Sequence, residues 1–197
     1  MAKRKKEHFF LKAKEDQYRA RSAYKLIQIN EDFHILKKGF SVLDIGAAPG
    51  SWSQVALEKV GESGKVVSVD ILPMPVLKGA EIVLGDITKE PVKEQIKNIA
   101  GSFDIILSDA APEFSGHREL DVGRTLVLNE YVLAIAQDFL KENGTLVMKS
   151  FQSNDLNNLV KDLKKKFKIV KMVKPKASQK ESSEIYIVCL KFSKNEE

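Results

Sequence analysis

Ser41-Val42-Leu43-Asp44-Ile45-Gly46-Ala47-Ala48-Pro49-Gly50-Ser51-Trp52-Ser53-Gln54 is the stretch that decides the fold. A short aliphatic, β-branched run ends at Gly46, turns through Ala-Ala-Pro-Gly, and gives way to residues that favour a helix. Glycines at a strand-to-helix turn let a ligand come close to the backbone, and open sheets bind ligands at the carboxyl ends of their strands. A nucleoside-type ligand is the implication. The spacing Gly46-x-x-x-Gly50 is not the Gly-x-Gly-x-x-Gly of dinucleotide sites, and no Lys-Ser/Thr pair follows, which argues against a pyrophosphate or triphosphate.

Working outward, the same alternation repeats to the end of the chain. Strands are expected near 41–47, 65–70, 81–84, 103–108, 144–149, 168–174 and 184–192, with helices near 51–60, 89–99, 121–141 and 153–167. Ser153 or Asn154 is the expected N-cap of the last helix, and Gly144 the expected C-terminal stop of the one before it. Residues 18–36 read as a further helix, with Tyr24, Leu26, Ile27 and Ile29 as its apolar positions. The fold class is α/β, a single Rossmann-like domain with a mostly parallel seven-stranded sheet and helices on both faces. Residues 1–17 read as a basic segment with room to be flexible, 18–192 as the domain, and 193–197 as a tail.

Three acidic residues follow successive strands: Asp70 after Val66–Val69, Asp86 after Ile82–Gly85, and Asp109 after Ile105–Ser108. Asp70 lies 20 residues beyond Gly50, where a carboxylate can accept hydrogen bonds from ribose hydroxyls. Asp86 would then accept from an adenine amino group. A single Asp after a strand is usually a turn residue, but three along one sheet edge beside a glycine turn make a ligand site.

The 197 residues carry a net charge of +5, divided unevenly. Residues 1–40 hold 11 Lys/Arg against 5 Asp/Glu, residues 41–160 hold 10 against 17, and residues 161–180 hold 9 against 1. Two basic blocks thus flank an acidic body, which suits a polyanion whose condensed counterions are released on binding. The plainer reading of the second block is a solvated helix face. Cys189 is the only cysteine, and His8, His34 and His117 are far apart, so neither a disulfide nor a structural zinc is expected. No apolar run approaches the roughly 18 residues of a membrane span, and the N-terminus lacks the apolar core of a secretory signal. The expectation is a cytoplasmic protein that does not meet membranes; without heptads, a monomer is the default.

Taken together, Asp44–Gln54, Ser108-Asp-Ala-Ala-Pro112 with Ser115-Gly116, and Val147-Met-Lys-Ser-Phe-Gln152 resemble the FtsJ/RlmE family of ribose 2′-O-methyltransferases. Arg19-Ala-Arg-Ser-Ala-Tyr-Lys-Leu26 and Ser182-Ser-Glu-Ile-Tyr186 extend the resemblance across residues 18–192. It implies S-adenosylmethionine as cofactor and a catalytic set Lys25, Asp109, Lys149 and Glu184. The family's cofactor residues fall on Gly46, Gly50, Trp52, Asp70, Asp86 and Asp109. Ser51 departs from the pattern, since bacterial members have Gly there.

The resemblance further implies a substrate: large-subunit (23S-type) ribosomal RNA, free or within the subunit, methylated at a uridine ribose. A transfer RNA anticodon-loop enzyme is the alternative, and an RNA-binding assembly factor with vestigial catalysis a more distant one. A ribose hydroxyl is a poor nucleophile until it loses its proton, and a lysine at its reference pKa of about 10.4 cannot take it. Lys149 is expected to be tuned by Lys25 and by burial to act as base, with Asp109 orienting it, and with Lys25 and Glu184 positioning the ribose.

Overall fold

The computed structural model describes residues 2–112, 115–179 and 181–194, with side chains from residue 8 onward. In chain order the elements are α1 (Ala2–Glu15), α2 (Ala23–Phe33), β1 (Ser41–Ile45), α3 (Ser51–Val60), β2 (Lys65–Asp70), β3 (Ala80–Leu84) and α4 (Glu90–Ile99). There follow β4 (Phe103–Ser108), α5 (Arg118–Phe139), β5 (Leu140–Phe151), α6 (Leu156–Lys166), β6 (Phe167–Val173) and β7 (Glu184–Phe192).

The seven strands form one sheet in the order β3-β2-β1-β4-β5-β7-β6. All neighbours are parallel except β7, which runs antiparallel to both β5 and β6. The two-residue period of a strand explains the layering. Val42, Val66, Ile105, Val147 and Tyr186 lie in one core cluster with Leu26, Ile29, Trp52, Val55 and Ala56 of α2 and α3. Their chain neighbours Leu43, Val67, Ile106, Leu146 and Ile187 pack on the other face, with Ile96, Val132, Ala136, Leu159 and Leu163 of α4, α5 and α6. Burial on both faces is why these strands are continuously apolar, each large side chain contributing roughly 1.5–3 kcal/mol. The chain builds outward from β1 in one direction and from β4 in the other, so a crevice opens where the order reverses.

The expected role of Gly144 is not what the structure shows. Helix α5 ends at Phe139, with the Leu140 N–H closing onto the Ala136 carbonyl, and the chain passes directly into β5. Gly144 therefore lies inside a strand. The pairing with β4 shifts between Phe103↔Leu140 and Ile105↔Thr145, and Asn143 takes a left-handed φ of 61° within that irregularity. A Cβ on Gly144 would stand 2.6 Å from Leu140 Cγ and 2.8 Å from the Lys141 carbonyl oxygen, so the bulge itself requires the glycine. The N-cap of α6 is Asp155, whose side chain makes no capping bond, and not either expected residue; Ser153 accepts the Leu156 N–H at 3.3 Å from outside the helix.

The basic segment forms α1, which rests on the domain through Ala13, buried with Tyr24 and Ala177, while Lys12 stands 5.1 Å over the Tyr24 ring. Among the described residues no helix is long and apolar enough to cross a membrane, and no cluster of His, Cys, Asp or Glu could hold a metal ion.

Candidate active site

A cleft of about 460 Å³ lies at the carboxyl ends of β1, β2, β3 and β4, where Gly46, Asp70, Asp86, Asp109 and Ala110 contribute to its wall. The acidic residues are fixed by backbone N–H groups. Asp70 accepts the N–H of Ala48 through Oδ2 and that of Leu72 through Oδ1, both at 2.8 Å, so one carboxylate ties together the loops after β1 and β2. Asp86 Oδ1 accepts both the N–H and the hydroxyl of Thr88, which hold its carboxyl below the usual aspartate range. Neither Asp70 nor Asp86 forms an ion pair with a lysine or arginine among the described residues.

Asp44 adds a fourth carboxyl, completely buried one residue before the end of β1. Ser53 Oγ donates to its Oδ2 at 2.6 Å, and Ser68 shares the Ser53 hydroxyl at 2.8 Å, while Oδ1 has no partner. Burial pushes this carboxyl up to about 7, against the Ser53 hydrogen bond and with the help of the nearby charges of Asp109 and Asp70. The donor set is thus rich in acceptors and negative potential. That suits a hydroxyl-bearing, cationic nucleoside such as S-adenosylmethionine and repels a phosphate.

The glycines serve neighbours within the protein. A Cβ on Gly46 would lie 2.5 Å from Ala110 Cα, because the turns after β1 and β4 touch there. Gly50 has a φ of 102°, and its bare Cα makes room for the Arg19 guanidinium and the Met74 methyl, each 2.8 Å from where a Cβ would stand. Arg19 Nη1 donates to the carbonyls of Pro49 and Pro75, and Nη2 to that of Val76, at 2.7–3.0 Å. It clasps the two loops, and Ile71 and Leu72 of the second belong to the cleft wall. Neither Gly50 nor Trp52 is among the lining residues. Trp52 is core: its indole N–H donates to the Ser22 carbonyl at 2.9 Å, and its ring packs 5.5 Å from that of Tyr186.

Beside the cleft, the four expected catalytic residues meet in one unbroken chain of contacts. Glu184 Oε1 pairs with Lys25 Nζ at 2.8 Å, and Lys25 also donates to the Tyr186 hydroxyl at 3.0 Å. Tyr186 donates to Asp109 Oδ1 at 2.7 Å, and the same oxygen lies 3.2 Å from Lys149 Nζ, which also donates to the Asp109 carbonyl. Both lysines are nearly buried, at 8% and 9% exposure, so these partners replace most of their water. The register explains the assembly, since β5 and β7 pair Lys149 with Tyr186 and Phe151 with Glu184, while α2 brings Lys25 across one face.

Tyr186 is the member that sequence reasoning missed, because a tyrosine within the apolar run Ile185–Cys189 reads as core. Burial first, then the charges of Asp109 and Glu184, hold its phenol well above the ordinary range, so it stays a donor.

The model of FtsJ-like methyltransferases matches residues 18–192. The chain belongs to the FtsJ-like methyltransferase family. A Methanothermobacter thermautotrophicus protein named ribosomal RNA large subunit methyltransferase E is 43% identical over 99% of this chain and 94% of its own length. A Rhodopseudomonas palustris protein of the same name is 44% identical over 93% of this chain and 79% of its own. A crystal structure of a Plasmodium falciparum ribosomal RNA methyltransferase superposes with a TM-score of 0.81 at 34% identity, covering 89% of this chain and 98% of that one. The Aeropyrum pernix fibrillarin structure with natively bound S-adenosylmethionine shares the fold, with a TM-score of 0.62 at 16% identity over 86% of this chain and 76% of its own.

Proposed function

We propose that this FtsJ-like chain methylates the 2′-hydroxyl of a uridine ribose in large-subunit ribosomal RNA, using S-adenosylmethionine. The contact chain Glu184–Lys25–Tyr186–Asp109–Lys149 beside an acidic cleft is the observation that carries this reading. The names of the relatives support the choice of RNA.

When bound, the cofactor supplies a methyl carbon on a cationic sulfur, with Asp70 and Asp86 as acceptors for its ribose and adenine groups. Lys149 is the base. A neutral amine has two N–H donors and one lone pair. The two contacts to Asp109 use both donors, leaving the lone pair for the proton of the incoming hydroxyl. Nζ would take the hydroxyl proton as the ribose oxygen displaces the methyl carbon from the cofactor's sulfur, the electron pair of the broken carbon–sulfur bond staying on sulfur to leave a neutral thioether, so the ribose oxygen would never carry a full charge. Lys25 gives two of its three ammonium hydrogens to Glu184 and Tyr186 and keeps one for a substrate oxygen, and Glu184 and Tyr186 fix its direction. Holding the reacting groups in line supplies much of the acceleration. The protein works as a monomer in the cytoplasm, on free RNA or the assembled subunit.

Methyl incorporation from labelled cofactor into naked ribosomal RNA, transfer RNA and isolated large subunits tests this reading. Label on a 2′-O-methyluridine of large-subunit RNA is expected. Label confined to transfer RNA would move the activity to the anticodon loop, and none in any RNA would leave an assembly factor.

A further inference from the structure

On the side of the contact chain away from the cofactor cleft, a second groove of about 320 Å³ lies between α2 and the segment that follows β6. Its size is at the small end for a ligand site. Ile29, Val173 and Pro175 give it an apolar floor, and Glu31, Asp32 and Lys176 surround that floor with charges of both signs. Ile29 and Pro175 are buried, while the three charged residues are exposed.

Both walls lead to the proposed transfer centre. Gln28 lies one helical turn beyond Lys25 on α2, the same face that reaches Asp32 a turn later. On the other wall, Ser178 donates to Glu184 Oε1 at 2.9 Å, two residues after Lys176. The walls are also tied to each other, because Gln28 Oε1 accepts the Ala177 N–H at 3.1 Å, and Lys174 is anchored by donating to the Ser182 carbonyl at 2.6 Å.

We propose that this groove receives the nucleotide next to the methylated one in the RNA strand. The inference rests on the functional reading above. A nucleotide is a flat ring with donors at its edge, joined to an anion, and the groove presents the complement of each part. The apolar floor takes the face of the base, Glu31 and Asp32 accept from amino or imino hydrogens at its edge, and Lys176 meets the phosphate. Bases are open to such reading in single-stranded loops, where they are splayed from the stack. A strand with its reacting ribose at Lys25 and Glu184 enters the groove with the adjoining residue, since the two sites share both walls.

The test uses an RNA that the full-length protein methylates, remade with an abasic residue on either side of the target. With one of the two abasic RNAs, kcat/KM should fall about tenfold or more, the discrimination expected of one well-made base contact. The double variant Glu31→Gln, Asp32→Asn should show a similar fall on intact RNA and little further loss on that abasic RNA, because base and carboxylates then report one interaction. Lys176→Ala should raise KM for RNA severalfold with kcat and cofactor Kd unchanged, which a mere loss of fold would not do. Equal rates on intact and both abasic RNAs, or additive losses in the double variant, would overturn the groove assignment while leaving the methylation reading intact. An absence of methyl transfer to any RNA would overturn both.

Discussion

The two neighbourhoods along the carboxyl edge of the sheet use the same residue type in opposite ways. At the ends of β2 and β3, Asp70 and Asp86 are held by backbone N–H groups and a hydroxyl, with no cation paired to them among the described residues. Between β4, β5 and β7, Asp109 and Glu184 each face a lysine at about salt-bridge distance. A carboxylate fixed by neutral donors keeps its charge available to an incoming ligand, whereas one that faces a lysine orients its Nζ. On the proposed function, the first neighbourhood holds the cofactor and the second places and moves a proton, and Asp109 stands in both.

The change that should break the contrast most severely is Lys149→Arg. Arginine keeps the cation but cannot accept a proton, so single-turnover methyl transfer with both substrates saturating should fall by roughly 10²–10⁴-fold. Cofactor and RNA affinities should stay near wild type. Retained turnover would reduce Lys149 to a positioning charge and make the two neighbourhoods alike.

On the holding side, Asp70→Ala removes an acceptor worth roughly 1.5–3 kcal/mol, or about a 10- to 150-fold rise in cofactor Kd by calorimetry. RNA affinity should survive. An unchanged Kd would place the cofactor away from β2.

Arg19→Lys sharpens the comparison, because Arg19 lies in the basic block of residues 1–40 yet spends its guanidinium on carbonyls of the loops beside the cleft. A lysine cannot fork across both loops. Cofactor Kd should rise about 10-fold, the loss of one charge-assisted hydrogen bond, with the salt dependence of RNA binding unaltered. A flattened salt slope with normal cofactor affinity would instead make Arg19 a phosphate contact.

At Asp44 the expected change is in stability rather than in binding. Its folded carboxyl titrates near 7 against an ordinary 3.8, so the folded state binds the extra proton. Stability from this group is therefore present below about 3.8 and is lost as pH rises through about 7. Asp44→Asn should remove that slope, narrowing the fall in Tm across this window by about 2–4 °C for each kcal/mol of linkage. Parallel Tm curves for the two proteins would show that the buried carboxyl does not titrate there.

The sheet was legible in the sequence because strands buried on both faces leave long β-branched runs, and the acidic residues stood out because they end those runs. Gly144 was misread as a helix stop because the passage from α5 into β5 has no loop, and only the pairing with β4 reveals the bulge. The role of Tyr186 depends on an antiparallel register between β5 and β7, which local sequence does not encode. The R-A-R pattern around Arg19 looks electrostatic, and nothing nearby in the chain announces carbonyl partners 30 and more residues away.

The position of β7 sets the order in which the molecule becomes competent during synthesis. Every residue that lines the acidic cleft, Leu128 of α5 included, precedes β5 in the chain. Strand β6, although made earlier than β7, has no place on the sheet until β7 pairs with β5 and receives it on the far side. Until then β5 is an open edge, and Glu184 and Tyr186 are missing from their partners. Arrival of the last strand closes that edge and brings Glu184 and Tyr186 to the contact chain together, so a chain that ends before β7 has the residues of the cleft without the contacts that join Lys25 to Asp109.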